Sequence, residues 1–189
     1  MQHRNFVLVP EDRADRVFTD YHRAHRQAAR EQDSDSPPFQ LPVAGDRYPR
    51  SSWPALEAAT WIREAHPELF PSFDLAVFEA FFKRTEDISD PEVLGRIAAS
   101  VGLDPSAVRV CLAEGRYRPM VRQEHLEATS LGIHGIPTIL IQGEPPIVGA
   151  VPFSDLKRAV ERALTGGSGG PRVDPASGAI IIQEGSAQF

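Results

Sequence analysis

Cysteine is nearly absent from this chain of 189 residues, which contains only Cys111. A single cysteine excludes an intramolecular disulfide and any metal centre built from several thiolates. No apolar run approaches the roughly 18 residues of a membrane span, and the N-terminus has no signal-peptide core. Basic residues are also in deficit, with 20 Lys and Arg against 26 Asp and Glu. These absences predict a cytoplasmic protein and argue against nucleic acid or a membrane surface as its partner.

The hydrophobic content of 41% is enough for one full core. The apolar run Phe6–Val9 is ended by Pro10 and predicts a buried strand. Apolar residues then recur at helical spacing from Val17 to Ala28, which indicates an amphipathic helix. The following residues, Asp33–Pro49, are rich in proline and predict a long irregular connection.

Short helices follow one another from Ser51 to about Leu131. Ser52, Asp90 and Asp104 each precede a proline by one or two residues, a combination typical of helix N-termini. The segment from Phe70 to Phe82 carries the largest apolar cluster of the sequence and predicts a helix with an aromatic face.

The stretch Gly132–Ile141 combines a helix stop, a tight turn and a strand. Gly132 provides the left-handed residue that commonly ends a helix, and Ile139–Ile141 is an apolar run of buried-strand length. Pro137 lies where the turn meets the strand. Because a proline cannot donate to a sheet ladder and adopts the cis form at low cost, it marks the first strand position and leaves the backbone of Ile136 unpaired.

A hairpin and a helix complete the chain before its tail. Ile147–Val148 is predicted to pair with the strand after Pro137, and Pro152 opens a helix that continues to Leu164. Gly166–Gly170 is a flexible linker. Beyond it, Ala179–Ile182 is predicted to form a strand.

The order of these segments resembles the DsbA-like thioredoxin fold, in its FrnE-type and 2-hydroxychromene-2-carboxylate-isomerase-type branches. The resemblance covers about residues 50–165 and depends on the spacing of several motifs. It implies an α/β (α+β) fold in which a thioredoxin-like sheet carries a helical insert at about residues 51–131. The domain would span residues 1–165, followed by a Gly-rich linker at 166–171 and a β tail at 172–189. The motifs are Asp87–Leu103, Glu114–Tyr117, Leu131–Thr138 and Gly149–Pro152.

The resemblance also implies roles for the proline loop. In this family the matching proline is cis and packs against the active-site dithiol, while the preceding residue offers its backbone to a bound peptide or to glutathione. Pro137 and Ile136 take these positions here, and with His134 and Thr138 they form the predicted substrate-binding site. A peptide or protein thiol is the implied partner, glutathione is the one cofactor considered, and no metal site is predicted.

The chain departs from the family at its active site, because the first strand and the Cys-x-x-Cys motif that follows it are absent. Cys111 lies at helical spacing with Val108 and Leu112, which predicts a buried core thiol. Loss of the first strand would also leave a gap in the sheet, which Ala179–Ile182 is predicted to fill in its own chain or in a neighbour, giving a homodimer. The alternative is a hairpin or edge strand on the solvent side.

Three functions are compatible with this sequence. The first is a thiol-disulfide oxidoreductase by family, whose dithiol lies outside these residues or has been lost. The second is a redox-inactive thioredoxin-fold module that binds peptide or protein. The third is glutathione-dependent isomerase or transferase chemistry.

Several histidines are weaker candidates for a site. His22 and His25 lie one helical turn apart and could bind a metal or an anion with Arg26, but no third metal ligand can be assigned and an exposed basic helix face is the better explanation. Glu124, His125 and His134 come close to Pro137 in sequence and could form a polar pocket beside it. The alternative for these histidines is a capped or solvated side chain.

Overall fold

A computed structural model of the chain describes residues 2–32, 39–165, 172–173 and 180–181. The chain divides into two compact units, Met1–His125 and Leu126–Phe189, with the boundary inside a helix. In the described residues the first unit is helical and the second carries the strands.

The helices of the first unit begin close to the predicted positions. Asp90 and Asp104 each accept a hydrogen bond from the backbone N–H two residues later, at 2.9 and 2.8 Å, and so cap their helices as expected. Ser52 does not cap its helix, because its hydroxyl accepts from the N–H of Val9 instead. The helices are α1 (Asp20–Gln32), α2 (Trp53–Ala65), α3 (Phe70–Phe78), α4 (Pro91–Ser100), α5 (Pro105–Glu114) and α6 (Arg118–Ser130).

The core of this unit lies between α2, α3, α4 and α5. The aromatic helix predicted from Phe70 to Phe82 is present, but its last turn, Glu79–Lys83, is π-helical. Helices α4 and α5 approach closely at Gly95, where an added Cβ would lie 3.2 Å from the carbonyl oxygen of Pro105. The fully buried side chains of the core include Ile62, Phe73, Leu94 and Val108.

The prediction of a strand at Phe6–Val9 is wrong, because side chains take the place of a neighbouring strand. The N–H groups of Asn5, Val7 and Val9 donate to Glu124 Oε2 at 2.8 Å, His125 Nδ1 at 3.3 Å and Ser52 Oγ at 3.0 Å. The carbonyl of Val9 accepts from the N–H of Ser52. These bonds satisfy alternate backbone groups of an extended segment without forming a sheet ladder.

Glu124 fixes this N-terminal segment to the helices. Its carboxylate is 5% exposed and accepts from Asn5 N and Nδ2, at 2.8 and 2.6 Å, and from two arginines. Arg63 Nη2 of α2 lies 2.8 Å from Glu124 Oε1, and Arg4 Nη1 lies 3.2 Å from it. Thr60 of α2 accepts the remaining bond of the Asn5 amide at 2.9 Å. Since both carboxylate oxygens have charged or polar donors, the buried charge is compensated.

The second unit carries the predicted hairpin and helix. Strands β1 (Thr138–Ile139) and β2 (Ile147–Val148) pair antiparallel, with Thr138 opposite Val148, and α7 (Phe153–Leu164) follows. The predicted burial of this strand is wrong, because Ile139, Leu140 and Ile141 are only half-buried. The strand has a neighbour on one side alone in the described residues, so its apolar run is not enclosed.

The prediction that the tail strand fills the sheet of its own chain is also wrong for the described residues. Strand β3 (Arg172–Val173) pairs antiparallel with β4 (Ile180–Ile181), in a sheet separate from that of β1 and β2. Two strands so close in sequence form a hairpin with a smaller loss of chain entropy than a strand that must reach across a linker. Ala179 and Ile182 of the predicted strand lie outside the described residues, as does the Gly166–Gly170 linker. The limits at residues 165 and 171 stay predictions.

Replacing Glu124 by Ala is expected to lower the free energy of unfolding by about 3 kcal/mol, because two arginines and a buried asparagine lose their acceptor. Chemical denaturation followed by circular dichroism measures this loss. Glu68→Ala, at an exposed position after α2, is the matched control and should change the stability by less than about 0.5 kcal/mol. Equal effects of the two substitutions would show that the Glu124 network does not stabilise the unit.

Candidate functional site

The proline loop begins where α6 ends. Gly132 has a φ of +74°, the left-handed conformation predicted for a helix stop, and the N–H of Ile133 returns to the carbonyl of Ala128 at 3.1 Å. The peptide bond between Ile136 and Pro137 is cis. Two hydrogen bonds hold the loop that follows Gly132.

Those two bonds leave the middle of the loop open. Thr138 Oγ1 donates to the carbonyl of Gly135 at 2.7 Å, and the N–H of Gly149 donates to the carbonyl of Pro137 at 2.8 Å. In the residues that the structure describes, neither the N–H nor the carbonyl of Ile136 has a hydrogen-bond partner within the protein. Both groups are therefore available to an incoming chain.

The four predicted site residues share this one loop. Ile136 is 51% exposed, and His134 and Pro137 are exposed as well, whereas Thr138 is half-buried. An exposed backbone beside an exposed apolar side chain is the arrangement that extended peptides use when they add to a sheet edge. The loop can thus offer main-chain hydrogen bonds and an apolar contact.

Cys111 lies in α5 of the first unit and is only 6% exposed. Burial and, to a smaller extent, the negative charge of Glu57 raise the pKa of its thiol from 9.0 to about 11. The predicted core packing of this cysteine is confirmed by its burial. At neutral pH the side chain is a thiol, which is neither a nucleophile nor a metal ligand.

Glu57 of α2 is a buried charge that the sequence analysis did not single out. It is 1% exposed, its Oε1 accepts from Arg118 Nε at 2.8 Å, and its Oε2 has no hydrogen-bond partner in the described residues. The guanidinium of Arg118 also lies over the ring of Trp53. The signal in the sequence was a carboxylate between Ala55 and Ala58, on the apolar side of the helix.

The other candidate residues take structural roles. Thr19 N–H donates to His22 Nδ1 at 3.0 Å, and His25 Nδ1 lies 2.8 Å from the carbonyl of Tyr21, so both histidines pair within α1 or at its start. Glu124 and His125 bind the N-terminal segment, as described above. Among the described residues no cluster of three His, Cys, Asp or Glu side chains could hold a metal ion, and no helix is long and apolar enough to cross a membrane.

Comparison with known proteins places this loop and these helices in a family. The family model described as DSBA-like thioredoxin domain matches residues 38–161, more than half of the chain. The chain belongs to the DSBA-like thioredoxin domain family. The family and the fold predicted from the sequence are thereby confirmed, whereas the sub-branch stays a prediction.

Two crystal structures are similar to the chain at the level of the fold. A candidate DsbA oxidoreductase from Streptomyces coelicolor has a TM-score of 0.72 at 19% identity, over 96% of this chain and 83% of that one. A candidate protein disulfide isomerase from Nitrosomonas europaea has a TM-score of 0.65 at 19% identity, over 81% of this chain and 78% of that one. At such identities the likeness shows the fold alone.

One curated relative matches over a shorter stretch. The uncharacterised protein YwbO of Bacillus subtilis is 30% identical over 89 residues, which are 47% of this chain and 44% of YwbO. The match thus spans less than half the length of that relative. DsbA-like proteins generally carry out thiol-disulfide exchange. The sequence of this chain contains one cysteine.

Cys111 is expected to resist thiol reagents in the folded protein. A pKa two units above the ordinary value lowers the thiolate fraction at pH 8 roughly 100-fold, and burial slows the reaction further. Reaction with 5,5′-dithiobis(2-nitrobenzoic acid) in buffer and in guanidinium chloride measures the difference. Rapid reaction of the native protein would contradict the burial of this thiol.

The same pKa predicts how stability depends on pH. Because the unfolded thiol ionises near pH 9 and the folded thiol near pH 11, its contribution to stability is complete below pH 9 and is lost as the pH rises towards 11. The difference in unfolding free energy between the wild type and Cys111→Ser, measured at intervals from pH 7 to about 10.5, should shrink over the upper part of that range. A difference independent of pH would refute the raised pKa.

Proposed function

We propose that these 189 residues form a DsbA-like module that binds extended polypeptide at the proline loop and does not carry out dithiol exchange. The absence of dithiol exchange is inferred from Cys111, because it is the only thiol of the chain and lies buried in α5. Exchange requires a thiolate that attacks a disulfide and a second thiol that resolves the mixed disulfide. A single thiol with a pKa of about 11 provides neither.

The binding half of the proposal depends on the loop Gly135–Thr138. Its exposed Ile136 has unpaired backbone groups, and the strand that follows is paired on one side only in the described residues. An extended peptide can pair with such groups whatever its sequence, and alternate side chains then determine the preference. The proposed partner is accordingly an unfolded or extended protein segment, in keeping with the protein thiol substrates of the family.

The charge of the molecule supports a polypeptide over a nucleic acid, since acidic residues exceed basic ones by six. A cytoplasmic site of action is part of the proposal, because a chain with one buried cysteine gains nothing from an oxidising compartment.

Absence of reductase activity is the first expected result. Reduction of insulin by dithiothreitol, followed by turbidity, should proceed at the uncatalysed rate in the presence of the protein, and Cys111→Ser should behave as the wild type. Intact mass measurement establishes that the protein tested begins at Met1. Catalysis that disappears in Cys111→Ser would refute the redox-inactive function.

Binding of a model polypeptide is the second expected result. The reduced, alkylated and fluorescently labelled B chain of insulin is the probe, and anisotropy is the measurement. Ile136→Asp should weaken binding about tenfold, because a charge replaces the exposed apolar contact beside the open backbone. Leu126→Asp, at an exposed residue of α6, is the matched control and should bind as the wild type. No binding by the wild type, or equal loss in both variants, would refute the proposed role of the loop.

A further inference from the structure

Helix α7 presents an apolar stripe that nothing covers in the described part of the chain. Phe153 is 78% exposed, Leu164 is 81% exposed, and Val160 between them is exposed as well. Their spacing of seven and four residues places all three on the same side of the helix. Three large apolar side chains in line are unusual on a surface that faces water throughout.

An ion pair sets the direction in which this stripe points. Arg162 Nε and Nη2 lie 2.9 and 2.5 Å from Oε2 of Glu144, a buried residue of the turn between β1 and β2. Arg162 is about half a helical turn away from Phe153, at 3.6 residues per turn. The side of α7 that faces the hairpin is therefore opposite to the stripe, and the buried Ala159 lies nearer to the hairpin side.

Two opposite charges lie along one side of the stripe. Lys157 and Glu161 lie next to it on the helix surface, and Lys157 Nζ is 3.9 Å from Glu161 Oε1. Both side chains are more than half exposed. In water such a pair contributes little to the stability of a single helix. Either side chain can therefore turn to an opposite charge on another molecule at little cost.

We propose that this stripe is the contact surface of a homodimer, in which α7 packs antiparallel against α7 of a second copy of the chain. When Phe153 lies opposite Leu164 of the partner subunit, Lys157 lies opposite Val160 of the partner subunit and one residue, about 1.5 Å along the helix axis, from Glu161 of the partner subunit. Two-fold symmetry repeats each of these contacts, so the stripe and its flanking charges are complementary to themselves. A second copy is the occupant that this charge pattern fits.

The size of the contact determines how strong the dimer is. A helix of 12 residues is about 18 Å long. A pair of such helices buries less than the roughly 800 Å² per partner of a standard interface. The dimer is accordingly weak, with a dissociation constant of about a micromolar or above. This inference is independent of the proposed peptide binding, which uses the proline loop and not α7.

Sedimentation velocity over a range of protein concentrations tests the dimer. The wild type should shift from monomer to dimer as its concentration rises. Phe153→Glu and Leu164→Glu should each raise the dissociation constant at least about 100-fold, because two-fold symmetry places a charge in the apolar contact at both of its ends. Leu75→Glu, at an exposed apolar residue of α3, is the matched control and should leave the dissociation constant unchanged. Circular dichroism verifies that each variant is folded.

Charge reversal tests the orientation of the helices. Lys157→Glu and Glu161→Lys should each weaken the dimer about tenfold, because two attractive pairs become repulsive. The double variant, which exchanges the two charges, should restore the affinity of the wild type. If the Lys157–Glu161 pair only stabilised its own helix, charge reversal would leave the dissociation constant of the dimer unchanged.

Three outcomes would overturn the inference. The first is a wild type that stays monomeric up to about 1 mM, since even a weak interface is populated there. The second is a dimer that survives Phe153→Glu and Leu164→Glu, which would assign the interface to another surface such as the tail strands. The third is a monomer whose α7 binds phosphatidylglycerol vesicles in a manner abolished by Phe153→Glu, which would assign the stripe to a membrane.

Discussion

Every polar backbone group that leaves water needs a partner, and the Glu124 carboxylate meets this need for the N-terminal segment of the chain. It joins Asn5 to α2 and α6 at once, because its Oε2 accepts from Asn5 while its Oε1 accepts from Arg63 and Arg4. Without a neighbouring strand, the N–H groups of an extended segment depend on side chains. Glu124, His125 and Ser52 supply them at alternate residues. The side chain of Val7 can then be buried although no sheet surrounds it.

Around the proline loop, the described residues meet this need only in part. Strand β1 has one paired side, formed with β2, and its apolar residues are only half-buried. Here no side chains replace a second neighbour in the described residues, so Ile136 keeps free backbone groups beside an exposed apolar side chain. In the first unit such an edge is closed, whereas at the proline loop it stays open. An open strand edge beside an exposed loop is suited to binding a chain from outside.

Local signals in the sequence were sufficient to predict where the helices begin and where the proline loop lies. Asp90, Asp104 and Gly132 act within a few residues, through one hydrogen bond or one backbone conformation, so their effects could be predicted from the sequence alone. The hairpin of β1 and β2 is local as well. The prediction at Phe6–Val9 was wrong because a strand requires a neighbour, which can lie anywhere in the chain, and of this apolar run only Val7 is buried.

The roles of the two buried carboxylates could not be predicted for a related reason. Glu57 and Glu124 lie on helix faces that also bear buried apolar residues, and only the tertiary structure shows that Arg118, Arg63 and Arg4 reach them. For α7, the sequence predicted the helix, but only the structure shows that Ala159 is buried while the stripe from Phe153 to Leu164 is exposed. A periodic pattern reports which side of a helix avoids water. It does not report whether the cover comes from the same chain or from another, and for this helix the described part of the chain leaves the stripe uncovered.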